Sequence, residues 1–93
     1  MWGVYEHRRV AKQLDVLPVE VLKRYEKWKD VAMVSGPLGL GVIRGFHDEA
    51  LRGEWRGYRS SRLGSQYRVI YRAIASEAIF QVVSVTPHEY RRQ

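Results

Sequence analysis

Cysteine is missing from all 93 residues of the chain. Its absence rules out disulfide staples, a thiolate nucleophile and a cysteine-based zinc site. Small extracellular domains often depend on such staples, so a cytoplasmic address is the expectation. Long apolar runs are missing as well, and nothing approaches the ~18 consecutive apolar residues of a membrane span. The opening stretch, from Trp2 to Arg9, places its apolar residues before its charges, unlike a secretory leader. A soluble protein with no membrane partner is expected. Lysine is also scarce: Lys12, Lys23, Lys27 and Lys29 are all confined to the first third. The three histidines, His7, His47 and His88, show no close metal-ligand spacing, so neither a metal nor a cofactor is expected.

What the chain does contain is arginine. Hydrophobic residues make up 45% and charged residues 28%, a balance that supports a packed core rather than disorder. No repeat, low-complexity segment or linker interrupts the chain, and residues 1–93 read as one domain. The formal charge is +6 and the pI near 10.0, which favours an acidic partner such as nucleic acid. Eight arginines lie between Arg52 and the end, opposed by Glu54, Glu77 and Glu89. An arginine fork grips phosphate through two parallel hydrogen bonds, which a lysine point charge cannot match. The cluster points to phosphate recognition, with Arg56, Arg59, Arg62, Arg68 and Arg72 as candidate RNA-binding residues.

Periodicity sorts the chain into elements. Residues 2–6 alternate like a short strand, and residues 7–14 read as a helix with Val10 and Leu14 one turn apart. Pro18 suits the start of a second helix over 18–34, where Leu22, Tyr25, Trp28 and Ala32 recur every three or four positions. This aromatic stripe reads as core. Ser35-Gly-Pro37 is expected to stop the helix, and six of the eight glycines in 36–57 suggest irregular chain apart from a short Val42-Ile43 element. Residues 56–63, 66–74 and 78–86 then carry the β-branched and aromatic residues of strands, with short connections at Gly64-Ser65 and Ser76-Glu77. The order β-α-α-β-β-β predicts an α+β fold, a two-layer sandwich with both helices on one face of an antiparallel sheet. If the helices cover Tyr67, Val69 and Tyr71, period-two alternation sends Arg68 and Arg72 to the open face.

The segment "RGFHDEALRGEWRGYRSSRLGSQYRVIYRAIASEAIFQVVSVTPHEYRR", residues 44–92, resembles the RelE/ParE superfamily of toxins from toxin–antitoxin modules. The likeness rests on "QYRVIY" in the middle together with a histidine and a tyrosine close to the end. It implies a RelE-like fold and, for the RelE branch, a metal-independent endoribonuclease that cuts messenger RNA, usually on the ribosome. It also implies a cognate antitoxin that wraps the toxin and masks its basic surface. By position, Arg68 resembles the arginine that holds the scissile phosphate, and Arg62 another basic residue of that site. Glu49 falls where YoeB-type members carry a general-base glutamate, and His88 and Tyr90 resemble their terminal pair. Glu89 separates these two, whereas the YoeB type has them adjacent.

Metal-free cleavage by internal attack needs a base for the 2′-hydroxyl, charge stabilisation at the phosphorane and an acid for the leaving 5′-oxygen. Carboxylate and imidazole suit the proton transfers, and arginine suits the charge. Glu49, Arg68, His88 and Tyr90 are therefore the candidate catalytic residues. Two rival functions follow from the same sequence. One is a ParE-like inhibitor of DNA gyrase, against which Glu49, His88 and Tyr90 count together. The other is a catalytically silent protein that binds RNA or antitoxin.

Overall fold

The computed structural model describes residues 1–87, so His88, Glu89 and Tyr90 lie outside the described residues. Strand β1 (Gly3–Glu6) leads into helix α1 (Arg9–Asp15) and the long helix α2 (Val19–Val42). Strands β2 (Glu49–Ala50), β3 (Arg59–Arg62), β4 (Tyr67–Ile74) and β5 (Ile79–Pro87) follow. They form one five-stranded sheet in the order β1-β5-β4-β3-β2. The β2–β3, β3–β4 and β4–β5 pairs are antiparallel, whereas β1 runs parallel to β5. This is the expected α+β sandwich, with β2 as a strand that the sequence pattern did not reveal.

Pro18 sits at the start of α2, where its carbonyl accepts from the N–H groups of Val21 and Leu22. The helix does not end at Ser35. It kinks at Gly36, whose φ of +69° is left-handed, and resumes from Pro37 to Val42. Pro37 explains the kink, since it has no N–H to give to Met33 and keeps the residue before it out of helical geometry. Trp2 is what requires glycine there, because a Cβ on Gly36 would lie 2.7 Å from Trp2 Nε1. Trp2 also donates its backbone N–H to the carbonyl of Met33, which ties β1 to the kink. Val42 is therefore helical rather than part of a short extended element.

Val10, Tyr25, Trp28, Ala32 and Leu40 from the helices meet Val69, Tyr71, Phe80, Val82 and Val85 from the sheet in one core cluster. Trp28 is its centre, stacked on Tyr25 and edge-on to Tyr71 and Phe80. Val82 and Val85 are three positions apart, which in a regular strand would put them on opposite faces. A register shift between Ile70 and Tyr71 resolves this, since Ile70 pairs with Ser84 and Tyr71 with Val82. Val83 is the extra residue, and the bulge keeps both valines in the core. Among the described residues, no strand covers that edge of β5 beyond Val82. Gln13 of α1 takes its place, with Oε1 accepting from the Val85 N–H and Nε2 donating to Ser84 Oγ.

Candidate functional site

Strand register decides which face each polar side chain occupies. Arg62 pairs with Arg68 and so with Thr86, Glu49 with Ser60 and so with Ile70 and Ser84, and Arg72 with Gln81. Paired residues share a face, and these three ranks alternate with the core residues, so they lie on the face away from the helices. Same-face steps of about 6.7 Å and strand spacings of about 4.8 Å set the scale. The Cα of Glu49 lies roughly 8 Å from that of Arg62 and about 12 Å from that of Arg68. Side chains of this length can reach a common point between them. The structure brings Glu49, Arg62 and Arg68 together on the open face.

Arg68 carries a further signal. Its Nε is buried and has no hydrogen-bond partner among the described residues. A buried donor left unpaired costs about 1–3 kcal/mol, which an anionic oxygen arriving as ligand would relieve. Glu49 is exposed and begins β2, beside the left-handed turn at His47 (φ 43°).

Asp48, one residue before Glu49, faces the other way. Its side chain is 2% exposed. The carboxylate accepts from Arg59 Nε at 2.7 Å and Ser61 Oγ at 2.6 Å, and also from the Tyr71 hydroxyl. Burial first, then the hydrogen bond to Asp48, pushes the Tyr71 phenol well above its ordinary 10.0. The Asp48 hydrogen bond likewise raises Arg59. Arg59 was a sequence candidate for RNA binding, but it is drawn to the helix-covered side as the partner of a buried acid. It stands apart from the Glu49–Arg62–Arg68 group.

At the other end of the open face, Arg72 Nε donates to Gln81 Oε1 at 2.8 Å, and its guanidinium lies 5.5 Å from the Tyr58 ring centroid. Trp55 packs edge-on to Tyr58. Arg56 is exposed and ends the one-turn 3-10 helix Gly53–Trp55, in the β2–β3 connection. The expected strand from residue 56 therefore starts only at Arg59. Gly57, with φ +95°, is the physical break. Sequence reasoning missed Arg24 and Lys27, which line a cavity together with Arg62. Their spacing of three on the outer face of α2 was the available signal. His88 and Tyr90, named from the terminal motif, lie outside the described residues. Among the described residues, no group of three or more His, Asp or Glu side chains is placed to hold a metal ion, and no helix is long and apolar enough to cross a membrane.

No family model and no curated protein matches the chain by sequence. Solved structures do resemble it. The archaeal RelE–RelB complex from Pyrococcus horikoshii matches at 26% identity over 97% of this chain and 98% of that one, with a TM-score of 0.76. A YoeB/ParE toxin from Agrobacterium tumefaciens is 18% identical over 94% and 99% of the two chains, with a TM-score of 0.75. The YoeB–YefM complex from Staphylococcus aureus is 14% identical over 96% and 99%, with a TM-score of 0.74. At 18% and 14% identity the last two speak to fold alone. The fold of this chain is that of the RelE/ParE superfamily of toxins.

Proposed function

We propose that this chain, a RelE/ParE superfamily toxin by its fold, is a metal-independent endoribonuclease that cuts messenger RNA on the ribosome. The observation that carries the reading is the open face, where Arg68 and Arg62 are paired across two strands with Glu49 on the same side. In this reading Arg68 and Arg62 hold the scissile phosphate, and the unpaired Arg68 Nε donates to a phosphoryl oxygen as charge grows there. Glu49 and His88 exchange the two protons, and Tyr90 orients or stacks on a base. His88 and Tyr90 are assigned by the terminal motif alone. Arg72 and Arg56 contribute sequence-independent phosphate contacts.

RelE from Pyrococcus and YoeB from Staphylococcus were each crystallised as toxin–antitoxin complexes. By likeness, the partner of this chain is a cognate antitoxin, in the cytoplasm where messenger RNA is translated. The positive charge fits an acidic antitoxin segment. Leu38 and Val42, 84% and 79% exposed and one helical turn apart, line a cavity with Asp48 and Arg59 and offer that partner an apolar contact.

A direct test uses purified ribosomes programmed with a defined message, in the presence of a chelator. The wild type cuts within the message, and Arg68→Ala slows cutting by about 10²–10³-fold. Full activity in Arg68→Ala, or no cut by the wild type alongside inhibition of gyrase supercoiling, would reject the assignment in favour of a ParE-like role.

A further inference from the structure

We infer that the cavity between α2 and the β3–β4 turn is a second phosphate site, which takes a backbone phosphate of single-stranded RNA. This rests on the proposed reading only in naming RNA as the ligand. Arg24, Lys27 and Arg62 line a cavity of about 350 Å³, whose apolar wall is Ile43 and Phe46 and whose lining includes no carboxylate. Arg24 and Lys27 are exposed and three residues apart on α2, so they project on the same side. Among the described residues none of the three cations is in an ion pair, whereas Lys29 is matched by Glu6 and Glu26 and Arg59 by Asp48. Three like charges around one hollow repel each other, and an anion is what removes that cost.

The backbone is shaped to keep them there. Gly64 turns β3 into β4 with φ +101°, and a Cβ at that position would lie 2.5 Å from Arg24 Nη1. The left-handed turn calls for glycine, and the Arg24 guanidinium lies against it where a side chain would be. Two arginine forks and a lysine suit a phosphate, which offers several acceptor oxygens in one small group. The Ile43–Phe46 wall lowers the local dielectric and strengthens each contact. Arg62 belongs both to this cavity and to the open-face rank with Arg68. A phosphate track thus runs from Arg68 across Arg62 and around the hairpin to α2.

The test measures binding of a 2′-O-methyl single-stranded RNA, which cannot be cut by internal attack, across a range of salt. The double variant Arg24→Ala/Lys27→Ala is compared with Lys12→Ala/Lys23→Ala, which has the same net charge of +4 (+6 less two). Single-strand contacts contribute about 0.7 each to the salt slope, so the first variant loses about 1.4 and the second keeps the wild-type slope. Equal slopes in all three proteins would overturn the site. So would a loss seen only in binding of an acidic antitoxin segment, which would make the cavity a protein-docking surface. If the slope falls as expected while the wild type never cuts RNA, the nuclease reading fails and this site stands.

Discussion

Consecutive acids at 48 and 49 point to opposite faces of the sheet and have opposite fates. Asp48 is enclosed and satisfied by Arg59, Ser61 and Tyr71, whereas Glu49 is left in solvent on the open face. Asp48→Asn removes the negative charge that Arg59, Ser61 and Tyr71 all donate to and leaves one acceptor oxygen where there were two. We expect a loss of about 2–3 kcal/mol, measured as a lower urea midpoint with an unchanged slope. Glu49→Gln should leave that midpoint where it is and slow cleavage. The converse pattern would mean that the two roles are exchanged. Sequence spacing identified Glu49 by likeness, but it left His47 and Asp48 as loop residues, because no pattern declared β2 a strand. Once β2 pairs with β3, the division between the two acids is dictated. The Arg59 ion pair was hidden for the same reason: its partner Asp48 is eleven positions away and meets it only through that pairing.

Among the elements, β1, the two helices, β4 and β5 were legible because their apolar residues repeat with clear periods, whereas β3 (Arg-Ser-Ser-Arg) was legible only from its place before the Gly64-Ser65 turn. Two features were not. The bulge at Val83 lies between Gln81 and Ser84, whose polar side chains fall on opposite phases of a regular alternation, a shift that a plain period-two reading passes over. The kink in α2 hides behind Gly36-Pro37, which reads as a stop. What requires glycine at the kink is a tertiary contact, since Trp2 occupies the space a side chain at 36 would need. Gly36→Ala adds both a left-handed strain and a clash, and should cost about 1–3 kcal/mol in thermal or urea unfolding. A neutral effect would mean that Trp2 does not require glycine there. On the segment beyond the kink, Leu38→Asp should weaken capture of the antitoxin at least about tenfold, by burying a charge, and leave RNA cleavage by the free toxin intact. Equal antitoxin affinity in the variant would remove this surface from the interface.

At the scale of the molecule, one face of the sheet packs on the helices, and the other carries Arg62, Arg68 and Arg72 around the buried Ser60, Ile70 and Ser84. The packing side includes two tyrosines whose phenols are held protonated. Burial comes first in both, followed by hydrogen bonds to Glu6 for Tyr25 and to Asp48 for Tyr71. Both folded pKa values lie above 10.0, the unfolded reference, so the folded state retains protons that the unfolded chain releases. Stability is therefore fully present below pH 10 and falls as pH rises beyond it. Urea midpoints taken from pH 8 to 11 should be level at first and then decline. Replacing Tyr25 with Phe should remove part of that decline.

The arginine side holds the central claim, that this chain cuts messenger RNA through Arg68. Mapping transcript 5′ ends in cells that express the toxin without its antitoxin tests it most directly. The wild type is expected to create new ends inside coding regions, and Arg68→Ala, expressed and folded at the same level, to create none. New ends that persist in Arg68→Ala, or a wild type that arrests growth with no new ends, would contradict it.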